Sequence, residues 1–144
     1  MHWLFFLILT AVFFGLYNFF IKVSAGHIHE VLGAVILQMV AFLLGGAVLL
    51  FLKWRGTPLE VTSKGVGFAI LAGLAVGLAE ITSFYAFSKG ISASVGIPVI
   101  VGGTIIVGVL LGIFFLKESL TLLQSLGVLL VLGGIGLVTF AGKQ

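Results

Sequence analysis

The stretch Gly65–Gly90, GVGFAILAGLAVGLAEITSFYAFSKG, decides how this chain folds. It is a continuous apolar run with one carboxylate, Glu80, inside it. Its length suits a membrane-crossing helix, and it lacks the alternation of a half-buried strand. Glu80 stands about eight residues short of Ser88. At ~1.5 Å per residue that is roughly 12 Å beneath one edge of a hydrocarbon core about 30 Å thick. A bare charge at such a depth costs about 2.5 kcal/mol or more, so the carboxyl must be protonated, hydrated or paired. Gly73, Gly77, Glu80 and Ser83 recur at spacings of four, three and three, and so share a helix face. Phe68, Ile70, Leu74, Leu78 and Phe84 are expected mostly on other faces. The small, polar face is expected to line a cavity, with Glu80 as its ionisable site.

Working outward, four further runs have the same character. The expected spans are about 3–23, 31–52, 65–88, 94–116 and 121–140. The fold class is an all-α integral membrane protein of five transmembrane helices, one domain over residues 1–144. Composition agrees: 61% of the 144 residues are hydrophobic and only 8% charged, against about 25% charged in soluble domains. Mean hydropathy is +1.39. The first run has no preceding Lys or Arg and is too long for a signal h-region, so it reads as a retained span. Lys53-Trp54-Arg55-Gly56 marks a boundary, Thr62 or Ser63 can cap the third span, and Thr121-x-x-Gln124 reads as a capping box for the fifth. Lys143 is expected to anchor the far end of the fifth span. Glycines, 21 in all, allow close backbone approach in lipid, as at Gly73-x-x-x-Gly77 and Gly108-x-x-x-Gly112.

The excess of seven Lys and Arg over four acidic residues is spread over span ends, where long side chains snorkel. It forms no patch for nucleic acid. Five spans would put Lys53, Arg55, Lys64 and Lys117 on the N-terminal side and Lys22, Lys89 and Lys143 on the other. Four against three gives almost no positive-inside bias. So weak a bias permits insertion in both orientations, and two copies inserted oppositely can pair head to tail about an in-plane pseudo-two-fold axis. A single orientation, set by the cations clustered around one loop, is the other reading.

Each polar residue has a functional and a plain reading. Glu80 is a proton and cation site, or a permanently protonated acid bonded across helices. Ser83, one turn on, orients it or bonds its own backbone. Tyr85, Tyr17, Asn18 and Gln38 contribute to substrate binding and coupling, or merely sit near helix ends. Gly73, Gly77, Pro98, Gly102 and Gly103 are candidates for helix packing and gating. Pro98 with Gly102-Gly103-Thr104 either breaks or kinks the fourth helix near the midplane, or Pro98 has a capping role near its start. Trp3 and Trp54 are interfacial anchors. His27-x-His29-Glu30 has the look of a metal cluster, but three ligands in a short turn are more simply solvated, so no metal and no cofactor is expected. No cysteine or aspartate occurs, and no phosphate loop, so nothing supports an enzyme.

Phe114–Phe140, FFLKESLTLLQSLGVLLVLGGIGLVTF, resembles the closing signature of the EamA-type domain of the drug/metabolite transporter superfamily. Phe84–Val99 is similar to the link between that domain's third and fourth spans, and Phe13–Gly26 to its first. Family members commonly carry two such domains in inverted halves, whereas this chain has one. The resemblance therefore implies a half-size member working with a second copy of itself or a homologous half-size chain. It implies transport, often export, of small metabolites or toxic compounds. It assigns no substrate residue. Glu80 leads us to expect a small polar or cationic solute with protons as a candidate coupling ion, and the expected location is the plasma membrane of a prokaryote. Gly77–Gly90 is also similar to the glutamate-bearing span of the small multidrug resistance proteins, although there it is the first span. The competing expectations are a non-transporting assembly subunit or scaffold, and a passive channel.

Overall fold

The computed structural model describes residues 2–141. Five helices follow in order: α1 (His2–Ser24), α2 (Glu30–Trp54), α3 (Ser63–Ser88), α4 (Ala93–Phe115) and α5 (Leu122–Ala141). All five are long and apolar enough to cross a membrane. No strand forms among the described residues, beyond an isolated bridge between Ala25 and Ile28. Lys143 lies outside the described residues.

Helix ends follow local chemistry. Thr62 precedes α3 with extended dihedrals, and its Oγ1 accepts from the Gly65 N–H at 3.1 Å. Thr121 and Gln124 bond reciprocally ahead of α5: the Thr121 N–H donates to Oε1 at 2.8 Å, and the Gln124 N–H to Oγ1 at 3.3 Å. Both arrangements satisfy first-turn donors that have no partner within the helix. His29 caps α2 instead of a serine or threonine, its Nδ1 accepting from the Val31 N–H at 3.3 Å. At the other end of α2, Gly56 takes φ 72°, the Gly56 N–H reaches Lys53 O and the Thr57 N–H reaches Leu52 O. That is a Schellman close, which needs a left-handed residue and prefers glycine. α4 closes differently: Lys117 itself takes φ 57°, and the Glu118 N–H reaches back to Gly112 O at 3.1 Å.

The chain divides into two compact units, residues 20–90 and residues 1–19 with 91–144. In the first, α2 packs on α3. In the second, α4 packs on α5. Among the described residues very few side chains are buried: Asn18, Ile21, Ala34, Glu80, Phe84 and Phe87. Large apolar residues such as Phe42, Leu50, Leu74, Phe114 and Leu130 stand exposed along the helices. A water-soluble protein does not tolerate such contiguous apolar surface, whereas lipid solvates it. Trp3 and Trp54, near helix ends, are likewise exposed.

α4 runs unbroken through Pro98, Gly102 and Gly103. The reading of these residues as a broken helix is therefore corrected. Pro98 is the sixth residue of α4, past the first turn, and having no N–H it forgoes one i→i−4 bond while the helix continues through it.

Candidate functional site

α2 and α3 run antiparallel and meet at three successive levels. At their shared end, the Ser88 hydroxyl lies 3.0 Å from Glu30 Oε1. One turn in, the Phe84 ring lies over Gly33, so close that a Cβ on Gly33 would stand 2.7 Å from Phe84 Cε1. Deeper still, the Gln38 amide lies over Gly77, its Nε2 3.0 Å from where a Gly77 Cβ would be. Glycine at 33 and 77 is thus what lets a ring and an amide cross the seam.

Glu80 lies between the second and third levels along α3. It is 3% exposed, and its Oε2 is buried with no hydrogen-bond partner among the described residues. The buried face of α3 is Glu80, Phe84 and Phe87, at spacings of four and three. Phe84 therefore shares the face of Glu80, which corrects its assignment to another side. A residue four along a helix is rotated by only about 40° from the first, and one three along by about 60° the other way. Ser83 is half-buried beside this face. Tyr85 is not brought to it: Tyr85 is 55% exposed, and Lys89 Nζ lies 4.5 Å from its ring centroid. Gly73 stands in open space, with nothing within 4 Å of where a Cβ would be, so of the Gly73/Gly77 pair only Gly77 makes a close contact.

The other candidates belong to the second unit. Asn18 is 6% exposed and donates its Nδ2 to Phe14 O at 2.8 Å, within α1. Tyr17 is half-buried and meets the Phe14 ring edge-on, with centroids 5.9 Å apart. Gly102 is buried against Ile135 of α5, whose Cγ2 lies 3.0 Å from where a Gly102 Cβ would be, while Gly103 faces open space. The small residue that packs α4 on α5 is thus Gly102.

Sequence reasoning missed the contacts around the end of α3. Lys22 of α1 lies 3.5 Å from Phe87 O and 5.7 Å from the Phe87 ring centroid. A cation at a helix C-terminus is favourably placed against the macrodipole. His29 Nε2 lies 3.9 Å from Glu30 Oε2. No three His, Cys, Asp or Glu side chains gather as a metal site among the described residues. The available signal was the sequence order itself: Lys22 and Glu30 flank one turn, and Ser88 ends the helix that returns to it.

Five apolar helices, with a carboxyl buried within one of them, make this an integral, multi-pass membrane protein. The chain belongs to the EamA-like transporter family, which it matches over residues 1–140, and so is a membrane protein of the drug/metabolite transporter type. It is 31% identical over 134 residues to an uncharacterised protein of Methanocaldococcus jannaschii, covering 93% of each chain. No solved structure matches it.

Proposed function

We propose that two copies of this chain form an antiparallel homodimeric secondary transporter, with Glu80 as the ionisable site. It moves a small polar or cationic solute by alternating access, the glycine-contacted helices rocking about a central site. Proton loss from Glu80 admits the solute, and reprotonation releases it. One observation carries this reading: a carboxyl 3% exposed whose Oε2 has no hydrogen-bond partner among the described residues. Leaving a buried acceptor unsatisfied costs about 1–3 kcal/mol, and more for a charged group. A purely structural acid would be held by a donor across the seam. An acid that trades protons for cargo needs its oxygen free. Gln38, one turn away across Gly77, is the adjacent group able to donate to cargo there. Balanced cations on the two sides support antiparallel pairing, and the relative in Methanocaldococcus jannaschii supports a prokaryotic plasma membrane.

The test uses proteoliposomes with a pH-sensitive dye trapped inside. Methylammonium, choline and ethidium are added outside in turn. Wild-type protein is expected to couple uptake of at least one of them to proton release, saturably, and Glu80→Gln to abolish that coupling. Full coupling in the Gln variant overturns the assignment of Glu80. Unsaturable flux without proton movement replaces the transporter by a channel.

A further inference from the structure

The end of α3 is tied to two other helices within residues 20–90. Ser88 Oγ lies 3.0 Å from Glu30 Oε1, at the first residue of α2. Lys22 Nζ, from the last turn of α1, lies 3.5 Å from Phe87 O and over the Phe87 ring. The titratable groups around these contacts are Lys22, His29, Glu30 and Lys89, and Lys22 and Glu30 are both half-buried. Phe87 itself is 2% exposed.

What distinguishes these ties from ordinary packing is that each can be undone without orphaning a backbone group. The single Ser88 hydroxyl proton is shared between Glu30 Oε1 and Tyr85 O, the latter at 2.8 Å, so it keeps an acceptor when Glu30 leaves. Phe87 O also accepts from the Gly90 N–H at 3.1 Å, so it keeps a donor when Lys22 leaves. Lys22 and Glu30 stand at helix ends, where water takes over their solvation. Undoing the latch itself therefore costs two modest polar contacts and no buried unsatisfied backbone atom, and access to Glu80 then requires the Phe84 ring to leave the Gly33 notch. The layer immediately inside is Phe84 in the Gly33 notch, and Glu80 lies one further turn along α3.

We propose that Lys22, Glu30 and Ser88 form a polar latch that shuts the α2–α3 seam over Glu80 on this face and opens in each transport cycle. The proposal rests on the reading of Glu80 given above. It adds that access to the acid from the side of residues 24–30 is controlled by contacts remote from the acid itself.

The chain contains no cysteine, so introduced thiols report alone. Cysteines replacing Glu30 and Ser88 are joined with a short reducible bis-methanethiosulfonate, in the liposome assay above. Joining is expected to lower cation-coupled proton flux to the protein-free background, and reductant to restore it. Unchanged flux in the joined protein overturns the latch, since a permanent structural tie would be indifferent to being made covalent. Should wild-type protein show no flux, the transport reading itself fails, and a second measurement decides the latch alone. Spin labels on His27→Cys and Lys89→Cys are compared in lipid nanodiscs with and without Lys22→Met, Glu30→Gln and Ser88→Ala together. A new, longer distance population in the triple variant supports the latch. Superimposable distributions overturn it.

Discussion

At Gly33 a single methyl group decides how α2 meets α3. A Cβ there would stand 2.7 and 2.8 Å from two atoms of the Phe84 ring, which is itself buried at 3% exposure. Overpacking of this kind typically costs about 1–3 kcal/mol. Gly33→Ala should therefore lower thermal stability in detergent micelles, and Phe84→Leu in the same chain should recover part of the loss. Strictly additive losses in that double-mutant cycle would deny the contact. Gly77→Ala meets only the end of the flexible Gln38 side chain, so it should cost well under the Gly33 change, about 0.5 kcal/mol or less. At this scale the sequence displayed the acid but not its neighbours. Glu80 stands out because charge is rare in lipid. Phe84 and Gly33 do not, because in a bilayer an apolar side chain suits the lipid face and the packed face equally. Hydrophobic periodicity then carries no sign to separate them.

The helices themselves were legible, since their ends use the same chemistry in lipid as in water. The Thr121–Gln124 box and the Thr62 cap are where side-chain spacing puts them. Thr121→Ala should cost about 1 kcal/mol by loss of that box, read as a lower unfolding midpoint. The close of α4 was not legible, because a lysine gives no advance notice of a left-handed conformation. Lys117 at φ 57° carries the Cβ penalty that a glycine avoids. Lys117→Gly is expected to raise stability by up to about 1 kcal/mol. A lower midpoint in that variant would mean that the lysine head group contributes more than its backbone loses.

For the whole molecule, composition alone separates this chain from soluble proteins, and the five helices and the EamA-like transporter family agree with it. Orientation is a different matter, because four cations against three leave it almost balanced. Leu59 and Val61 are exposed in the segment between α2 and α3. Leu59→Lys with Val61→Lys should drive that segment to the cytoplasm in essentially all molecules. A reporter fused to the C-terminus should then pass from mixed to uniform sidedness, and transport should fall as head-to-tail partners disappear. A wild-type chain already uniform in sidedness would end the antiparallel proposal.

The notch that receives Phe84 also carries a historical consequence. Positions 33 and 84 compete for one small volume, so neither can grow unless the other shrinks. Among natural relatives, those that have gained bulk at the first position should have surrendered the aromatic at the second, trading size between two sites some fifty residues apart in the chain.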